Sequence, residues 1–211
     1  RLAGTLGWLS PQDERAELVR MIGELLGRSS FGSHEVDLTC ALNADRELDQ
    51  ERHRLALSPS EADRVAHAAA LGCLGSTEGR TRVLEALTSD DDAEVQIAEV
   101  YLGHRPITDV DAIRVVASGI ARMRAPGAQV RALETLARHR LSDRQSLDEL
   151  ARLFPVSRTV EVQRAIAAVL IRSDYQLLPR PEIVSMLSQS RLKSPGGADI
   201  IDILIRRLQT P

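Results

Sequence analysis

Four short segments of this 211-residue chain repeat one pattern of apolar and polar positions at nearly constant spacing. They are Arg64-Val65-Ala66-His67-Ala68, Glu94-Val95-Gln96-Ile97-Ala98, Gln129-Val130-Arg131-Ala132-Leu133 and Glu161-Val162-Gln163-Arg164-Ala165. Each reads polar residue, Val, two variable residues, then Ala or Leu, and the valines are 30, 35 and 32 residues apart. Six residues past each Val comes Leu71, Tyr101, Leu136 or Ala168. One further amphipathic stretch lies between successive copies, so each unit is a helical hairpin. A lone hairpin cannot bury its own apolar face; it must share a continuous core with similar hairpins on either side.

The apolar periodicity is helical along nearly the whole chain. From Asp109 to Arg124 the apolar positions are Val110, Ile113, Val116, Ala117, Ile120 and Met123, one face of an amphipathic helix. No Asn-Gly or Asp-Gly hairpin signal occurs. The chain is therefore expected to be all-α, an α-solenoid of stacked antiparallel hairpins with about 10–11 helices. Spacing and capping signals predict helices over 11–27, 36–56, 59–74, 79–88, 93–104, 109–124, 128–140, 143–153, 160–172, 181–191 and 198–209. Ser10-Pro11, Ser58-Pro59, Thr108-Asp109 and Ser142-Asp143 read as entries. Gly27, Gly75, Pro126-Gly127, Pro155 and Pro195-Gly196-Gly197 read as stops. Residues 59–211 form the repeat stack, and 1–58, which match it less well, form a helical segment that is a divergent repeat or a cap.

Short Val-x-x-Ala helices with acidic lead-ins such as Asp90-Asp91-Asp92, each followed by a second helix, resemble the short bacterial HEAT-like repeats. Val130-Arg131 matches that family's usual Val-Arg; elsewhere the Arg is replaced by Ala66, Gln96 and Gln163. The resemblance covers about residues 59–209. It implies a curved stack with the Val-x-x-Ala helices on the concave side. Most such proteins bind other macromolecules; a minority are enzymes or enzyme subunits, such as alkylpurine glycosylases and bilin lyases.

Little in the sequence carries chemistry. The histidines His34, His53, His67, His104 and His139 show no i, i+4 metal pair, and no Gly-x-Ser-x-Gly or phosphate loop occurs. Cys40 and Cys73 are too few for a disulfide framework and read as small buried apolar residues. His104 and His139, each nine after a repeat Val, read as cations at helix C-termini. Net charge is −3 and only five residues are aromatic, which disfavours nucleic acid and stacked cofactors. The 26 arginines against one lysine are scattered among acids, so genome composition explains them better than an anion-binding surface.

The expected function is a non-catalytic interaction scaffold or regulatory module that grips a protein partner on its concave face, without cofactor or metal. The expected contact row is Gln96, Glu99, Arg131, Glu134, Arg138 and Gln163, placed outward by their offset from each Val. The alternative is a HEAT-like enzyme or subunit of glycosylase or bilin-lyase type. No apolar run reaches the ~18 residues of a membrane span. The apolar last helix (Ile200, Ile201, Ile203, Leu204, Ile205, Leu208) suggests self-association. A cytoplasmic location is expected, for what reads as a fragment because it begins at Arg1 without a leader.

Overall fold

Helices supply all the regular structure of the computed structural model, which describes residues 32–41, 64–192 and 199–210. They are α1 (Ser33–Ala41), α2 (Val65–Cys73), α3 (Thr77–Ala86), α4 (Asp92–His104), α5 (Val110–Arg122), α6 (Pro126–Leu136), α7 (Arg144–Val156), α8 (Val160–Arg172), α9 (Arg180–Ser190) and α10 (Ile200–Gln209). A single 3-10 turn, Tyr175–Leu177, joins α8 to α9, and no strand occurs among the described residues. The expected helix over 11–27, the entries at Ser10 and Ser58, the stop at Gly27, the 42–63 part of the next two helices and the turn at 195–197 lie outside the described residues.

Short polar side chains start the helices. Asp109 accepts from the N–H groups of Asp111 and Ala112 at the head of α5. Asp143 accepts from Ser146 N–H at the head of α7, Thr159 from Val162 N–H at α8, and Ser76 from Gly79 N–H at α3. Each satisfies a backbone donor that the helix itself leaves orphaned. Gly75, at φ 90°, makes the left-handed turn between α2 and α3. Two prolines expected as stops act differently. Pro126 is the first residue of α6, where its missing N–H costs nothing. Pro155 sits in the last turn of α7, which runs on to Val156.

The chain divides into two compact units, Arg1–Leu87 with Ala93–Pro106 and Thr88–Asp92 with Ile107–Pro211. In the first, all nine residues of α2 are buried, and α2 packs against both α1 and α3. The α2–α3 approach needs glycine: a Cβ on Gly79 would run into the Ala68 carbonyl and lie 2.7 Å from Gly72 N, and one on Gly72 would lie 2.9 Å from the Tyr101 ring. Cys40 of α1 and Cys73 of α2 are joined by a disulfide, their Cα atoms 4.9 Å apart. The reading of both as unbonded apolar residues is corrected; they are buried, but α1 places the first beside the second, which 33 residues of sequence do not reveal. His104, at the end of α4, also reaches α1, with Nε2 2.7 Å from an Asp37 oxygen.

In the second unit α5 packs on α7 and α7 on α9; α6 packs on α8 and α8 on α10. Successive helices also meet, α5 with α6, α7 with α8 and α9 with α10. The helix starts are more regularly spaced than the valines. Helices α4, α6 and α8 begin at Asp92, Pro126 and Val160, 34 residues apart, and the caps Asp109 and Asp143 of α5 and α7 keep the same interval. In that register Val95, Gln129 and Gln163 are equivalent, and Val130 is equivalent to Gln96 and Arg164.

The core includes Val95, Ala98, Ile120, Leu133, Leu147, Val162, Val169, Ile201 and Leu204, all buried. Val130 and Ile113 are only half-buried; in the 34-residue register Val130 matches exposed Gln96 and half-buried Arg164. Leu133→Ala should therefore cost about 2–5 kcal/mol and Val130→Ala well under half of that, as measured by chemical denaturation. Cys73→Ser should lower the stability of the first unit by about 3–4 kcal/mol, the loop-closure contribution of a bridge with this separation, and reductant should leave that variant unaffected.

Candidate functional site

Helix α6 carries the centre of the expected contact row. Its Ala132, Leu133 and Leu136 are buried, which turns Glu134 to solvent on the opposite face. Arg138 follows just after the helix and is also exposed. Arg131 is half-buried; its Nε donates to Asp92 at 2.8 Å and its Nη2 to the other Asp92 oxygen at 3.1 Å. This two-pronged pair fixes the guanidinium and holds the Asp92 carboxyl below its ordinary range. The other two members in the α4 segment, Gln96 and Glu99, belong to the first unit, where Gln96 is exposed and Glu99 half-buried.

Gln163 does not continue the row. It is fully buried. Its Nε2 donates to the Phe154 carbonyl at 3.1 Å and the Ser190 carbonyl at 2.9 Å, and its Oε1 accepts from Leu192 N–H at 2.9 Å. The expectation of an outward side chain fails because matching Val162 to Val130 sets α8 two residues out of register. In the 34-residue register Gln163 matches Gln129, also buried, whose Nε2 donates to the Ile120 carbonyl at 2.9 Å. Both glutamines thus satisfy a carbonyl nine residues back, in the last turn of the preceding helix. Gln129 and Gln163 stand 34 apart in the sequence, the signal that would have found this register.

Carboxylate–guanidinium pairs recur through the second unit. Asp143 accepts from Arg114 Nε at 3.1 Å and Nη2 at 2.8 Å, and also from Ser146 Oγ at 2.8 Å. The Arg114 hydrogen bonds, joined by those of Ser146, hold its carboxyl far below the usual carboxylate range. Asp199, almost wholly buried, would be pushed up by burial alone, but Arg164, 3.0 Å away, reverses the shift. Asp202 pairs with Arg191 and is lowered by that bond. Asp90 accepts from Arg124 N–H at 2.6 Å and Ala125 N–H at 2.9 Å, and those backbone bonds lower its pKa. The Asp90-Asp91-Asp92 run, expected as an acidic lead-in, thus also holds two backbone N–H groups through Asp90.

His139 behaves differently from its expected role as a cation. Burial lowers its pKa, against the Thr135 hydrogen bond that raises it, so the ring is neutral at pH 7. Nδ1 lies 3.1 Å from the Thr135 carbonyl and donates to it, while Nε2 is buried without a partner. It caps the helix end as a neutral imidazole.

These shifts fix the pH response. A depressed histidine contributes stability that is present above the unfolded pKa of about 6.5 and lost as pH falls toward the folded value. Depressed aspartates contribute stability present above about 3.9 and lost as pH falls further. Thermal melting should therefore weaken in two stages on acidification, the first below about pH 6.5 and the second below about pH 4. His139→Leu should remove the first stage only, and Asp143→Asn should shrink the second.

No helix among the described residues is long and apolar enough to cross a membrane. No protein-family model matches this chain, and no curated protein or solved structure is significantly similar to it.

Proposed function

We propose that the chain is a non-catalytic interaction module of HEAT-like build, in which hairpins stack side by side and one layer of helices presents polar side chains to a protein partner. The packing order within the second unit supports the stacked build: α5, α7 and α9 in one row, α6, α8 and α10 in the other. The observation that carries the binding role is the exposed Glu134–Arg138 edge of α6, braced by the Arg131–Asp92 pair. An anchored mixed-charge edge raises on-rate and specificity for a partner of complementary charge more than it raises affinity.

The expected self-association through the last helix narrows to α10's outer side. Ile201, Leu204 and Leu208 are buried within the unit, while Ile203 remains 39% exposed. The cytoplasmic location expected from the sequence sits against the Cys40–Cys73 bridge, a bond that persists in oxidising compartments.

Affinity purification with the wild-type chain and with Glu134→Arg/Arg138→Glu should recover a specific protein from the first bait that the second loses. Equal recovery would take the α6 edge out of the interface. Sedimentation should show concentration-dependent dimers that Ile203→Glu abolishes; a monomer at every concentration would reject self-association.

A further inference from the structure

A cleft of about 450 Å³ opens in the second unit between the α5–α6 turn and the α7–α8 turn. Buried Met123, Leu153 and Val162 line it. Exposed Arg124 and Arg158, equivalent in the 34-residue register, also line it, Arg124 beside the Asp90 carboxylate that accepts from its N–H. The volume lies within the range of pockets that hold small ligands or peptide side chains.

Gln129 shows what the cleft lacks. Its side chain lines the space and is only 7% exposed. It makes one hydrogen bond, Nε2 to the Ile120 carbonyl, and Oε1 has no protein partner but is reached by solvent, so it is open to an occupant's N–H. Its equivalent, Gln163, is fully satisfied by the neighbouring turn, taking the Ser190 carbonyl and the Leu192 N–H from either side of Arg191, which is extended. One repeat earlier the matching atoms are the Val156 carbonyl and the Arg158 N–H. Neither bonds Gln129, and the cleft lies there instead.

We infer that this cleft binds an extended, acidic peptide segment of a protein partner. The inference rests on the interaction-module reading but uses a site separate from the α6 edge. Gln129 takes one peptide N–H on Oε1 and a carbonyl on Nε2, as Gln163 takes Ser190–Leu192. An acidic side chain then lies between Arg124 and Arg158. The molecule contains both halves of this recognition already: Gln163 on extended backbone, and the Asp90 carboxylate on the N–H groups of Arg124 and Ala125. A phosphate would suit the two arginines but brings no adjacent backbone N–H and carbonyl for the two ends of the Gln129 amide; a peptide brings both.

The test uses the intact chain and an array of random seven-residue peptides. Bound peptides should be enriched in Asp and Glu. Arg124→Glu/Arg158→Glu, both surface positions, should weaken them by about tenfold or more. Gln129→Leu should do the same; because it also breaks the Ile120 bond, its folding is checked by circular dichroism. Methylating the backbone nitrogens of a selected peptide one at a time should find a single position that abolishes binding, a readout that needs no variant protein. Glu134→Arg/Arg138→Glu should leave peptide affinity unchanged. An array without acidic preference, or peptides insensitive to the Arg124/Arg158 variant, would overturn the cleft. So would full displacement by inorganic phosphate with no effect of N-methylation. Loss of binding only in the α6-edge variant would overturn the cleft while leaving the module reading intact. Partner recovery by affinity purification tests that reading separately.

Discussion

Small side chains set the distance between helices, and that distance governs the rest of the structure. Ala69, Ala70, Ala98, Ala117, Ala132 and Ala167 are buried, and Gly119 sits so close to Thr88 that a Cβ would collide with it. Among the described residues, Tyr101 and Phe154 are the only aromatics that are large and fully buried. An alanine face brings helices near enough for good dispersion contact but removes little apolar area per residue from water. Each inner helix therefore draws on more than one neighbour, as α7 does from α5, α8 and α9.

Close approach brings helix ends into the interior, where their backbone groups need partners. In the second unit glutamine and aspartate meet that need. Gln163 ties the end of α7 to the segment leaving α9, and Asp143 caps α7 while holding Arg114 across from α5. The two kinds of contact differ in weight. The Arg131–Asp92 pair is largely solvated and contributes chiefly orientation. Removing the Gln163 amide would strand several buried groups at once, which is the costlier change.

Most helices were legible because amphipathic spacing and caps are local. The expected 160–172 coincides with α8, and Asp109 and Asp143 stand where the entries were read. What was missed depends on partners distant in sequence. The valine alignment follows a single apolar residue type, whereas Gln129 and Gln163 bond carbonyls nine residues back at an interval of 34, and the mismatch puts Gln163 on the surface instead of in the core. The exposure of Glu134 and Arg138 was legible, since burial of Leu133 and Leu136 decides the outward face. The cleft was not, because it is a missing bond, and only the contrast between two equivalent glutamines exposes it. The cysteine pair was likewise hidden, since pairing follows from how α1 lies on α2.

That pairing alters the connectivity of the molecule. The bridge and the chain between its ends form a covalent ring from Cys40 to Cys73. A protease cutting between α1 and α2 produces a two-chain molecule with α1 still tethered to α2, of unchanged mass apart from one added water. Such a nick would pass unseen on a non-reducing gel and appear as two bands once the bridge is reduced. The first unit can thus lose continuity of its backbone there while the bridge keeps α1 joined to α2.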